Sequence, residues 1–148
     1  MKKLITLFTI AMLSSLSLTA QNKATKTADK HFNRLEFVDA AEDYLKLVND
    51  GKADNYVYGQ LAECYYNTFN TVEAERWYAK ALAGSQDPEM IYNYSQMLKA
   101  NGKYAESNEW MDKFSSMSPN DDRATAFRKN PDYLSKILKM GRNSMYKI

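Results

Sequence analysis

The chain has 148 residues, enough for one domain with its own apolar core, and its 45% hydrophobic and 26% charged residues exclude an intrinsically disordered polymer. Its 20 basic and 18 acidic side chains are too evenly balanced to draw nucleic acid to the molecule as a whole. The single cysteine, Cys64, excludes an intramolecular disulfide, and the single histidine, His31, leaves no multi-histidine metal site.

In chain order, the first feature is a leader. Lys2 and Lys3 precede an apolar run from Leu4 to Leu18, and Thr19-Ala20-Gln21 follows. This is the layout of a secretory signal peptide over residues 1–20, with cleavage expected after Ala20. The competing reading, an uncleaved membrane anchor, meets a span that is short for a bilayer and interrupted by Ser and Thr. The expected location is therefore outside the cytoplasm. The leader carries two basic residues and no acid, so the mature chain has 18 of each sign. Charge is unevenly spread: residues 123–148 hold seven basic residues against one acidic. That run reads either as a solvated helix with a frayed end or as a docking segment.

Three stretches then resemble one another: Ala28–Tyr44, Ala62–Tyr78 and Ser95–Met111. The small residues Ala28, Ala62 and Ser95 recur at spacings of 34 and 33. Ala40, Ala74 and Ser107 recur with the same two spacings, and so do Tyr44, Tyr78 and Met111. A period of this length marks stacked helical hairpins. Two antiparallel helices approach closely only where side chains are small, while Tyr44, Tyr78, Trp77, Trp110 and Phe114 fill the space between hairpins. One hairpin cannot bury its own apolar face, so the units must stack into a solenoid.

The helices are expected near 24–34, 37–49, 54–68, 71–84, 87–101 and 104–116, grouped into repeats over about 21–54, 55–87 and 88–120. Asp87-Pro88 has the form of an N-cap followed by proline at the first helical position. Gly51, Gly84 and Gly102 stand where helices should end. Beyond them, Ser118-Pro119-Asn120-Asp121-Asp122 and Asn130-Pro131-Asp132 are helix starts. They predict capping helices within 121–140, with Tyr133, Leu134, Ile137 and Leu138 on one face, and a tail or linker over 141–148.

The period and its small-residue columns resemble the tetratricopeptide repeat. The family's first-helix tryptophan column holds Ala24, Tyr58 and Ile91, and its leucine column holds Thr27, Leu61 and Tyr94. The terminal proline is matched by Pro119. The resemblance implies an all-α, tetratricopeptide-like solenoid of about three helix-turn-helix repeats with a C-terminal capping helix. It also implies a concave protein-binding face lined by the first helix of each repeat, here Tyr56, Glu63, Tyr66, Asn67, Tyr92, Gln96 and Lys99. Some members bind a peptide's terminal carboxylate through Lys, Arg and Asn at fixed inward positions. Thr25, Asp29, Gln60, Glu89 and Asn93 occupy those positions, and two acids in place of bases argue against that mode.

Catalytic constellations are missing from the sequence, and no cofactor is expected. His31 reads as a packed or half-exposed structural residue rather than the base of a nucleophile. The acidic pairs Glu42-Asp43, Glu73 with Glu75, and Asp121-Asp122 keep open an envelope hydrolase, but carboxylates on helices usually form solvated faces or caps, and hydrolysis needs a cleft between them. Cys64 reads as a small buried hydrophobe.

The leader ending in Thr-Ala-Gln, the three repeats, and the runs Met117–Arg123 and Phe127–Leu134 look like the N-terminal region of OmpA-family envelope proteins of Bacteroidota. In those proteins the repeats are followed by a β-propeller and a peptidoglycan-gripping domain, and some belong to type IX secretion and gliding machinery. The resemblance implies a non-catalytic interaction scaffold of the cell envelope whose partners are envelope proteins or peptides, without nucleic acid or metal. Any outer-membrane or peptidoglycan association would run through regions absent from this chain, so no peptidoglycan-binding residue carries over. The structural alternative is a spacer within a cell-wall anchor that recognises nothing itself.

Overall fold

The computed structural model describes residues 23–131. The signal peptide expected over 1–20, the second capping helix expected up to 140 and the tail expected over 141–148 lie outside the described residues. Among the described residues there are seven helices and no strand: α1 (23–33), α2 (Phe37–Asn49), α3 (Asn55–Asn67), α4 (Thr71–Leu82), α5 (Pro88–Ala100), α6 (Tyr104–Met117) and α7 (Asp122–Lys129). None of these helices is long and apolar enough to cross a membrane.

Each start and stop has a local cause. Asp54, Asn70 and Asp87 accept hydrogen bonds from the backbone N–H of Val57, Glu73 and Met90, and Asp121 accepts from that of Arg123. These bonds satisfy amides that the first helical turn leaves unpaired. Asp54, Asp87 and Asp121 are spaced by 33 and 34, so α7 begins in register as the first helix of a fourth unit.

The helices also stop in one recurrent way. After α1, α2, α3 and α5 a residue turns left-handed: Leu35 (φ 63°), Gly51 (67°), Phe69 (59°) and Gly102 (81°). Each of these N–H groups donates to the carbonyl three residues back, and the next N–H donates to a carbonyl five back, as in Phe69 to Tyr66 and Asn70 to Tyr65. This paired closure of the last carbonyls is the Schellman motif. Gly51 and Gly102 fill the position without strain. Gly84 acts differently: it follows α4 without a left-handed turn, and a side chain there would run into Asn55.

Leu35, Phe69 and Gly102 share one repeat column, so two units place a bulky side chain where the third has glycine. Phe69 is 88% exposed and its ring packs little, while its left-handed backbone costs about 1–2 kcal/mol. Phe69→Gly is therefore expected to preserve the fold and to raise stability by about 0.5–1 kcal/mol, because the relief of strain outweighs the added backbone freedom of the unfolded chain. Urea denaturation of the two proteins reads this directly.

The helices pack against their neighbours in sequence, and α3 additionally meets α5, the contact pattern of stacked hairpins. The small residues lie at the crossings as their spacing requires: Ala40, Ala62, Ala74 and Ser95 are fully buried, and Ala28 and Ser107 nearly so. In the third hairpin the crossing is tied by Ser107 Oγ donating to the carbonyl of Ser95 at 2.8 Å. Trp77 stacks on Tyr58 with ring centroids 5.8 Å apart, and Trp110 meets Tyr94 edge-on at 4.9 Å, so the same tryptophan column packs on tyrosines of two different columns in successive hairpins. Consecutive turns are stapled by Asn101, whose amide donates to the Thr71 carbonyl and to Glu75, while Thr71 Oγ1 donates to Asn101 Oδ1.

Candidate functional site

In its first two units the repeat places a tyrosine of the second helix opposite a carboxylate of its own first helix, 15 residues earlier. Tyr44 and Tyr78 are fully buried, and their hydroxyls donate to Asp29 and Glu63 respectively, each at 2.6 Å. A polar residue from the following first helix completes each clasp. Gln60 donates to the Tyr44 hydroxyl at 3.4 Å, and Asn93 donates to Glu63 at 3.2 Å. Burial first, and the adjacent carboxylate second, push both phenols well above the ordinary tyrosine range. They remain protonated donors at any pH the fold would meet.

The third unit lacks this clasp. Met111 stands in the column of Tyr44 and Tyr78, Gln96 in that of Asp29 and Glu63, and Phe127 in that of Gln60 and Asn93. Gln96 Nε2 reaches the Met111 sulfur at 3.6 Å, a weak contact. With no phenol ring threaded between α5 and α7, a cleft of about 440 Å³ opens there. It is lined by Tyr92, Gln96 and Lys99 of α5, by Ser107, Asn108 and Met111 of α6, and by Arg123, Ala126, Phe127 and Asn130 at α7.

Arg123 fixes the wall formed by α7. Its guanidinium forms a two-pronged ion pair with Glu89, 2.7 Å on each prong, and also contacts the Asp121 carboxylate at 2.9 Å. It lies over the Tyr92 ring at 4.2 Å and the Phe114 ring at 5.0 Å. The hydrogen bonds from Arg123 lower the Glu89 carboxyl below the usual glutamate range, and those from Glu89 and Asp121 raise the guanidinium above its own. The charge of Arg123 is thus spent within the protein.

Of the residues expected on the concave face, Tyr92, Gln96 and Lys99 come together in this cleft. Tyr66 and Asn67 line a smaller hollow of about 260 Å³ with Phe69, Thr71 and Met97. Tyr66 also meets Tyr78 edge-on at 6.4 Å, and Asn67 donates to the Glu63 carbonyl. Glu63 serves as the acceptor of the second clasp, and Tyr56 donates to Asp29 at 3.0 Å as part of the first. The cleft is also lined by Asn108, Met111, Arg123, Phe127 and Asn130, which sequence reasoning did not place on the concave face. The signal for Met111 was present in the column where methionine replaces tyrosine.

Of the six acids that kept a hydrolase open, Glu42 and Asp122 are exposed on helix surfaces and the other four are engaged elsewhere. Asp43 lies 3.1 Å from His31 Nδ1 and 2.7 Å from Lys46. Glu73 accepts from the Trp77 indole, Glu75 pairs with Lys103 and Asn101, and Asp121 caps α7. Among the described residues no three His, Cys, Asp or Glu side chains gather as a metal site would require. Cys64 is fully buried, and burial pushes its thiol up to about 12, so it packs as an inert hydrophobe.

No protein-family model matches the chain, and no curated protein matches it. Solved structures do. The type III secretion translocator chaperone SycD of Yersinia enterocolitica matches with a TM-score of 0.61 at 17% identity, covering 93% of this chain and 94% of that one. SycD in complex with a peptide of the translocator YopD matches with a TM-score of 0.59 at 14% identity, covering 86% and 95%. At this identity the likeness concerns the fold: the chain is an all-α solenoid of tetratricopeptide-like hairpins, closed at its C-terminal side by a capping helix.

Proposed function

We propose that this chain is a non-catalytic scaffold that holds an extended segment of another protein in the cleft between α5, α6 and α7. The observation that carries this reading is the open third junction. Two junctions are sealed by a buried tyrosine–carboxylate clasp, and the third, built on the same register, leaves a cleft walled by two aromatic rings. The side-chain amides of Asn108 and Asn130 make no hydrogen bond among the described residues and can meet the backbone of a bound strand. That a chaperone of this fold was solved with a translocator peptide supports the same reading.

The proposed setting is the cell envelope. It rests on the signal-like leader over residues 1–20 and on the resemblance to the repeat region of OmpA-family proteins, whose partners are envelope proteins. Periplasmic, outer-membrane-associated work, with a place in type IX secretion, belongs to that proposal. N-terminal sequencing of the protein recovered from the envelope fraction should begin at Gln21.

The binding role is tested by placing a photo-crosslinking side chain at Asn108, inside the cleft, and in a second protein at Ala79, on the exposed side of α4. A discrete crosslinked species from position 108 alone supports the scaffold. Equal crosslinking from both positions, or none from either, returns the chain to the role of a spacer.

A further inference from the structure

We infer that the cleft selects a segment carrying an aromatic side chain, tyrosine ahead of phenylalanine, next to a carboxylate. The inference deepens the peptide-holding reading and depends on it. Its basis is what fills the same slot elsewhere in the molecule. At the first two junctions the space between consecutive first helices is taken by a phenol ring, that of Tyr44 and that of Tyr78, with its hydroxyl on a polar group of the preceding first helix. At the third junction the helices framing that slot are retained, but Met111 stands in place of the ring, Gln96 in place of the carboxylate and Phe127 in place of the polar residue of the following helix. A partner that supplies the ring completes a packing arrangement the protein already uses twice.

The lining agrees with such an occupant. Tyr92 and Phe127 offer ring faces and edges, and the Met111 thioether forms an adaptable floor that favours aromatic contact. Gln96 uses its amide N–H on Ser95 Oγ and the Met111 sulfur, which leaves its carbonyl oxygen free to accept a phenol hydroxyl. That acceptor sets tyrosine above phenylalanine.

Charge supplies the second half of the inference. Lys99 lies on the wall of the cleft, exposed, and makes no ion pair or hydrogen bond among the described residues. Arg123 is already matched by Glu89 and Asp121. The cleft lining contains no aspartate or glutamate, so Lys99 leaves it with an unmatched positive charge that a carboxylate beside the aromatic anchor would answer.

The test is a selection from a displayed library of random peptides on the full chain, run in parallel on the Met111→Tyr variant, in which the protein's own ring occupies the slot. The expected result is enrichment of tyrosine, then phenylalanine, at one position with Asp or Glu within two residues of it, and loss of that enrichment on the variant. For a selected peptide, replacing the tyrosine by alanine should weaken binding at least tenfold, as expected for a central aromatic anchor. Lys99→Glu should weaken an acid-bearing peptide by roughly fivefold and leave its neutral counterpart unchanged.

Enrichment of aliphatic anchors that Met111→Tyr still removes would overturn the aromatic assignment and leave the peptide-holding cleft standing. Enrichment indifferent to Met111→Tyr, or none, would overturn both. Displacement of the selected peptides by a synthetic peptide of residues 130–148 at equal concentration would overturn the assignment in favour of an occupant from the chain itself.

Discussion

Replacement of Tyr78 by alanine is expected to destabilise the protein by about 4 kcal/mol, enough to remove much of the stability of a domain this size. Three losses combine. The ring is fully buried between α3, α4 and α5, so its removal leaves a cavity that rigid neighbouring helices cannot collapse. The hydroxyl is the 2.6 Å donor to Glu63, and without it that partly buried carboxylate keeps only the longer bond from Asn93. Tyr66 also loses the edge it packs against. Tyr78→Phe separates these contributions: it keeps the ring and removes the donor, for an expected loss of about 1.5–3 kcal/mol typical of a hydrogen bond to a charged group. Chemical denaturation of both variants checks the division, and equal losses would mean that the ring contributes nothing beyond its hydroxyl.

Substitution of Ala74 by leucine is the second large effect. Ala74 is fully buried at the crossing of α3 and α4, in the column it shares with Ala40 and Ser107. A leucine there forces the helices apart or into strained rotamers, with an expected loss of about 1–3 kcal/mol. The same change at Ala79, exposed on the same helix four residues from Glu75, should alter stability by less than about 0.5 kcal/mol. The contrast, read from denaturation midpoints, isolates close helix approach from helix propensity, since both sites exchange alanine for leucine within α4.

The hairpins were legible in the sequence because their cause repeats. Small residues at 33- and 34-residue spacing, Asp87-Pro88 at a helix start and Gly51 and Gly102 at helix ends each dictate a local geometry that no distant residue overrides. The left-handed turns at Leu35 and Phe69 were not legible, because propensity assigns that conformation to glycine; the register of the hairpin imposes it on whatever residue falls there.

The clasps lay between these extremes. Asp29 with Tyr44 and Glu63 with Tyr78 are each 15 residues apart, and that equal separation was on display. Reading it as contact requires the rotation of each helix about its axis, which spacing alone does not provide. For that reason Glu63 was expected to face a partner, whereas it is held by Tyr78 and Asn93. Arg123 was visible only as the first charge of a basic C-terminal run. Its pairing with Glu89, 34 residues away, follows from α7 continuing the repeat register, and that became apparent only with the cap at Asp121.

The central claim is that the third junction keeps the geometry of the two tyrosine–carboxylate clasps, with methionine in place of the tyrosine and glutamine in place of the carboxylate. A double-mutant cycle on Met111→Tyr and Gln96→Glu, followed by urea denaturation of the four proteins, tests it most directly. If the register is shared, the new phenol enters the cleft and donates to the new carboxylate, and the double variant should exceed the sum of the single changes by about 1–2 kcal/mol of stability. Additive destabilisation by the two substitutions, with no favourable coupling between them, would show that residues 96 and 111 do not face each other as Glu63 and Tyr78 do, and would contradict the claim.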